Sequence, residues 1–195
     1  MILLKAVLMA AEEIQSFCLT QGWRFCFIGG VALQRWGQPR LTQDADLTLL
    51  TGFGAEESFA DALLVRFAAR RADAREFALR HRVLLIQTEA GVAIDVAFGG
   101  VLFEERSTGR ASPWHWSEDH VLTTCSAEDL LVHKVFAGRD RDWGDLEGVL
   151  IRQHGKLNLT QVRAELAPLL ELKGQPEAMT KLDALIATIS RRLSA

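Results

Sequence analysis

The stretch GGVALQRWGQPRLTQDADLTLL, residues 29–50, decides how this chain is read. Two glycines lead, Arg40-x-Thr42-x-Asp44-x-Asp46 follows, and a run of Leu and Thr closes it. Residues two apart in a strand point to the same side, about 7 Å apart along the chain. Asp44 and Asp46 therefore project together from the start of a segment that otherwise asks to be buried. Aspartate disfavours strands, and two like charges on one face repel. A compensating partner is expected.

Working outward, Asp95 sits inside VAIDVAF, an otherwise apolar strand. A carboxylate there is costly unless it lies at an edge, is paired, or ligates a cation. If its strand lies beside that of Asp44 and Asp46, three carboxylates converge. A hard cation such as Mg²⁺ suits such a donor set, and paired ions are a standard apparatus for in-line phosphoryl displacement. The plainer alternative is that Asp44 caps a turn, Asp46 pairs with Arg40, and Asp95 is an edge residue. Upstream, Gly29 and Gly30 stand where a strand turns into a short helix closed by Gly37. Such a turn lets backbone approach a ligand, and the first N–H groups of a helix face an anion. No Gly-Lys-Ser/Thr follows, so the Walker pattern is excluded.

Secondary-structure signals place these motifs. Apolar spacing from Leu3 to Phe17 predicts a first helix to about Thr20, and WRFCFIGG reads as a strand entering the glycine turn. EESFADALLVRFAARRA reads as one helix with Leu63, Leu64 and Phe67 on its buried stripe. HRVLLIQTE, GVAIDVAFG and GVLFEER read as strands, the first two joined by a turn at Glu89-Ala90-Gly91. From Ser126, a Ser-x-x-Asp capping signature opens a series of amphipathic helices. The expected organisation is α+β: an α/β part over residues 1–108, then a connector and a helical part over residues 109–195.

Bulk properties exclude several classes. A formal net charge of −3 does not advertise nucleic-acid binding, and the three scattered cysteines read as buried small hydrophobes in a reducing compartment. The apolar start is interrupted by Lys5, Glu12 and Glu13, so it is neither a signal peptide nor a membrane span, and a cytoplasmic location is expected. His115 lies between Trp114 and Trp116 in a tryptophan-rich connector that reads as a hydrophobic strut. The histidines show no metal-ligand spacing. Six arginines between Arg66 and Arg82 read by default as a solvated face, with an RNA-phosphate track as the sharper option.

The Gly-Gly turn, the Arg-x-Thr-x-Asp-x-Asp string and the later strand carboxylate together resemble the nucleotidyltransferase fold of the DNA polymerase β superfamily. They are most similar to the minimal AbiEii-type nucleotidyltransferases, toxins of bacterial toxin–antitoxin pairs. AEDLLVHKVFAGRDRDWGDLEGVL is similar to that group's downstream helices, which carry a lysine and then Arg-Asp-x-x-Asp. The resemblance covers roughly residues 25–150. It implies a nucleotidyltransferase-type mixed sheet flanked by helices and a reaction moving NMP from an NTP to an acceptor hydroxyl.

In that reading Asp44 and Asp46 hold two Mg²⁺ ions, which Mn²⁺ can replace, and Asp95 ligates the ion on the acceptor side and serves as base. Gly29 and Gly30 hold the β- and γ-phosphates. Lys134 is a cationic clamp on the triphosphate, its plainer reading being a surface lysine. Asp142, preferred over Asp145, is the helical acid of the group. These two acids share a helix face. Their plainer reading is ion pairing with Arg139 or Arg141, or orientation of Lys134. Arg40 and Thr42 fix the loop beside the nucleotide. The acceptor is a tRNA 3′ end, a protein side chain or a small molecule such as an aminoglycoside, and an antitoxin is an implied partner. The alternative class is a non-catalytic nucleotide-binding module with the same fold.

Overall fold

The computed structural model describes residues 2–194, which divide into two compact units. One runs to Val31 and resumes over Leu41–Cys125; the other comprises Ala32–Arg40 and the chain from Ser126.

The first unit is built on a seven-stranded mixed sheet: β1 (Phe25–Phe27), β2 (Asp44–Leu50), β3 (Ala68–Ala69), β4 (Val83–Gln87), β5 (Ala93–Gly99), β6 (Ser112–His115) and β7 (Val121–Thr124), in the order β3-β4-β5-β2-β1-β7-β6. Strand β2 lies parallel to β5 and antiparallel to β1. Alternation gives the sheet two chemically distinct faces. Ala45, Leu47, Leu49, Ile94, Val96, Phe25 and Phe27 point to one face. There they are buried with Val7, Ala11 and Ile14 of α1 (Ile2–Thr20) and Leu63 of α3 (Glu56–Arg66). Asp44, Asp46, Thr48 and Asp95 alternate to the other face. Part of that face is covered by α5 (Leu102–Arg110), whose buried Ser107 hydroxyl lies 3.9 Å from the Cys26 thiol. All three cysteines are buried, and burial pushes the Cys18 thiol up to about 12.

Two local expectations are corrected. GVLFEER is the start of a helix, α5, rather than a strand. Glu104 reaches back to accept from the backbone N–H groups of Gly100 (2.7 Å) and Val101 (3.0 Å), satisfying donors that a helix start leaves open. The helix expected over residues 56–72 ends at Arg66. Phe67 turns extended, β3 follows, and a further helix α4 (Ala74–His81) comes before β4. The tryptophan-rich connector is a hairpin, β6–β7, with Trp114 opposite Leu122. Trp114 and Trp116 pack on the core, and Trp116 Nε1 donates to Glu12 (2.9 Å). Because β7 then pairs with β1, the α/β unit extends to Cys125, and a division after residue 108 falls inside α5.

The second unit contains α6 (Ala127–Ala137), α7 (Asp140–Arg152), α8 (Leu159–Lys173) and α9 (Glu177–Leu193). Ser126 caps α6 by accepting from the Asp129 N–H at 3.0 Å, the bond its spacing predicts. Residues 32–40 join this unit closely: the Arg152 guanidinium donates to the Gly37 carbonyl (2.7 Å), and a Cβ on Gly37 would sit 2.9 Å from Val149. Pro168 lies inside α8 without ending it. No helix among the described residues is long and apolar enough to cross a membrane.

Candidate active site

The register of the sheet assembles the carboxylates. Asp46 lies directly opposite Asp95 in the parallel β2–β5 ladder, and Asp44 is two residues back on the same face. One oxygen from each of Asp44, Asp46 and Asp95 falls within 4.8 Å of the others. All three side chains are partly exposed, so the cluster faces solvent along one side. The donor set is three hard carboxylate oxygens, the chemistry Mg²⁺ prefers. Its charge is answered by a guanidinium, because Arg70 forms an ion pair with Asp95. A positive group already drawn into the cluster is what a site for a cation should contain. The residues fit a divalent ion.

The glycines are explained by this acid cluster. The chain leaves β1 into α2 (Gly29–Trp36), and Gly29 adopts φ +55°, a left-handed conformation that L side chains rarely take. A Cβ at Gly29 would lie 2.1 Å from Asp46 Oδ2, and one at Gly30 would lie 2.2 Å from Thr42 Oγ1. The Gly30 N–H points to Asp46 Oδ2 at 3.4 Å. The Gly-Gly pair thus makes room for Asp46 and Thr42 beside the start of the helix. Thr42 donates its hydroxyl to Asp44 Oδ1 at 3.2 Å, fixing the first aspartate's rotamer.

Within the helical unit, Lys134 is no surface lysine. It is 4% exposed, and its ammonium donates to Asp142 Oδ1 (2.8 Å) and Asp145 Oδ2 (2.6 Å). Arg40 grips Asp145 with two parallel bonds, Nε to Oδ1 at 2.7 Å and Nη2 to Oδ2 at 2.8 Å. Arg139 donates to Asp142 Oδ2 at 2.7 Å. Arg40 thus pairs with Asp145. For both aspartates burial favours the neutral acid. Hydrogen bonds from Arg139 and Lys134 on Asp142, and from Arg40 and Lys134 on Asp145, outweigh it and hold both carboxyls below the usual range.

The arginines from Arg66 to Arg82 are largely committed to nearby acids. Arg66 pairs with Glu13, Arg71 with Asp73, and Arg75 with Asp61. Arg82 takes a left-handed backbone at φ 56°, donates to the carbonyls of Phe98 (2.9 Å) and Gly52 (2.8 Å), and pairs with Glu56. That pattern is a braced surface. Sequence reasoning did not single out Arg70 within the run, because only the strand register brings it to Asp95.

Residues 19–189 match the family described as the nucleotidyl transferase AbiEii toxin of type IV toxin–antitoxin systems. Among solved structures, the chain is similar to an antigenic nucleotidyltransferase-like protein from Paracoccidioides brasiliensis. That likeness has 16% identity, covers 92% of this chain and 91% of that one, and gives a TM-score of 0.48. It is also similar to the antibiotic-resistance factor ANT(2'')-Ia, with 13% identity, coverage of 97% and 94%, and a TM-score of 0.45. None of the curated proteins compared with it matches the sequence. With the match spanning most of both units, the chain belongs to the AbiEii family of nucleotidyltransferases.

Proposed function

We infer that this nucleotidyltransferase moves a nucleoside monophosphate from an NTP to an acceptor hydroxyl, releasing pyrophosphate, and that it does so as the toxin of a pair with an antitoxin protein. The observation that carries the reading is the convergence of Asp44, Asp46 and Asp95 within 4.8 Å beside the glycine turn.

In this reaction the acceptor oxygen forms a bond to the α-phosphorus, and the bond from that phosphorus to the bridging oxygen of the β-phosphate breaks. Asp95 takes the hydroxyl proton. Asp44 and Asp46 would hold Mg²⁺, with Asp95 completing the set; when bound, the ion neutralises phosphate charge and makes the acceptor hydroxyl more acidic. Thr42 keeps Asp44 oriented. Gly29 and Gly30 are assigned to the phosphates, since the turn they make carries no side chain beside the helix start. Within the helical unit Lys134 is assigned a positioning role, its ammonium held by Asp142 and Asp145.

Incubating the protein with each α-labelled NTP, Mg²⁺, total RNA and a protein extract tests the reading. Label should appear in one macromolecular fraction with wild type and vanish with Asp46→Asn. Label in RNA identifies a polynucleotide acceptor, and label in protein a side-chain hydroxyl. No transfer with any NTP to either fraction overturns the assignment.

A further inference from the structure

The shortest strand of the sheet positions a residue that the catalytic reading leaves unused. Strand β3 has two residues, pairing Ala68 with Gln87 and Ala69 with Ile86. The chain keeps this register one step further, since the Arg70 N–H donates to the Leu85 carbonyl at 3.0 Å. Leu85 lies opposite Asp95, and Asp95 lies opposite Asp46. Arg70, Leu85, Asp95 and Asp46 thus form one row across four neighbouring strands. Strands are spaced about 4.8 Å apart, so Arg70 and Asp95 are about 10 Å apart at the backbone. An extended arginine crosses that gap over Leu85, and the Arg70 guanidinium is hydrogen-bonded to Asp95 Oδ1. Of the arginines between Arg66 and Arg82, Arg70 is the one paired with a carboxylate of the triad.

We propose that Arg70 is an internal competitor for the cation site: it occupies Asp95 until a divalent ion displaces it, and so sets the ion concentration at which the site loads. The proposal rests on the cation reading of the triad. Three carboxylates carry three negative charges, and Arg70 offsets one of them in the nucleotide-free protein. The side chains of Arg70 and Asp95 are each 30% exposed, so the pair is partly solvated. Such pairs are worth up to about a factor of 5 in an equilibrium constant. A divalent ion held by several carboxylates can break the pair, yet must pay its cost. While Arg70 holds Asp95, that carboxylate is engaged and is a poorer ligand for the ion. Loading of the ion and release of Asp95 for its role toward the acceptor are one event.

The test is titration of nucleotide-free protein with Mn²⁺, followed by loss of the free-ion EPR signal, which reads binding without turnover. Arg70→Ala and Arg70→Gln should bind Mn²⁺ about 3- to 10-fold tighter than wild type, having lost both the competitor and its charge. Arg71→Ala changes net charge equally, but its partner is Asp73, so it should move affinity less than about twofold. Asp95→Asn should weaken binding, and adding Arg70→Ala to it should restore little. Equal tightening by Arg71→Ala would reduce the effect to general charge, and no tightening in either Arg70 variant would leave Arg70 a strut; either overturns the proposal. If wild type, Arg70→Ala and Asp44→Asn all fail to bind Mn²⁺, the cation reading of the triad fails and takes this proposal with it. If wild type binds and Asp44→Asn does not, the triad reading stands whatever Arg70 does.

Discussion

Arg40 and Asp145 are joined by two parallel hydrogen bonds, 2.7 and 2.8 Å long, although 105 residues separate them in the chain. The same carboxylate accepts from Lys134, so one aspartate ties the Arg-x-Thr-x-Asp-x-Asp segment's first residue to two helices of the helical unit. A motif residue that reads as a loop anchor is in fact part of a buried ionic network.

That network makes Lys134 a stability determinant. Replacing it with Ala leaves Asp142 and Asp145 facing each other without the ammonium between them. Breaking a buried pair from one side costs about 3–5 kcal/mol. Lys134→Ala should therefore lower the urea midpoint markedly, with m unchanged, as well as reduce transfer. A variant as stable as wild type would show the ammonium to be dispensable in the fold.

The acid limb of the stability profile should reflect the same residues. Asp142 and Asp145 have carboxyls lowered in the fold from an ordinary value of 3.8. Their contribution is complete above that value and is lost as pH falls through their lower folded values. His133 acts earlier. Burial, partly offset by Asp129, pushes its imidazole down from 6.5 to about 4. Between those values the unfolded chain binds a proton that the folded chain refuses, so stability declines as pH falls from about 6.5 to 4, with a slope approaching 1.4 kcal/mol per pH unit. Denaturation midpoints from pH 8 to 3 should show this decline, and His133→Phe should flatten the part above pH 4 alone.

Gly29→Ala should separate structure from catalysis. The added methyl needs φ +55° and lies 2.9 Å from Asp46 Cβ as well as 2.1 Å from its Oδ2, so rotation of the carboxylate alone does not relieve it. The strained backbone costs about 1–2 kcal/mol. Asp46 must leave its place opposite Asp95, so transfer should fall by about 10²-fold or more while circular dichroism stays native. Retained activity would mean that Asp46 need not sit where it does.

Asp44→Ala and Asp46→Ala should each abolish detectable transfer while leaving the fold intact. In Mg²⁺-free buffer either variant should unfold at a slightly higher temperature than wild type, because removing one of three clustered carboxylates relieves repulsion. Thermal melts with and without Mg²⁺ check this: wild type should gain stability from the ion, and the variants should not.

Much of the candidate site is local geometry and hence readable from the chain. Asp44 and Asp46 share a face because strands alternate, and Asp142 and Asp145 share one because they are three apart on a helix. Gly29 and Gly30 announce a turn that no larger residue could make beside an acid. The capping serine at 126 is likewise a matter of three residues.

What only the tertiary structure decided is pairing across distance. Nothing within VAIDVAF says that Asp95 will face Asp46 and not the next residue along; a slip of one position would send it to the apolar face. The reach of Arg70 to Asp95 depends on β4 standing between them, and β3 is too short to leave a periodic signal. GVLFEER carries strand-forming residues, yet Glu104 folds back on the chain and caps the start of a helix there. Lys134 and Arg40 become one network because two segments far apart in sequence fold into the same unit. Periodicity is written over a few neighbouring residues and survives in the sequence alone. Register and burial arise only when distant segments meet and compete for the same hydrogen bonds and the same apolar interior, and they are a property of the folded whole.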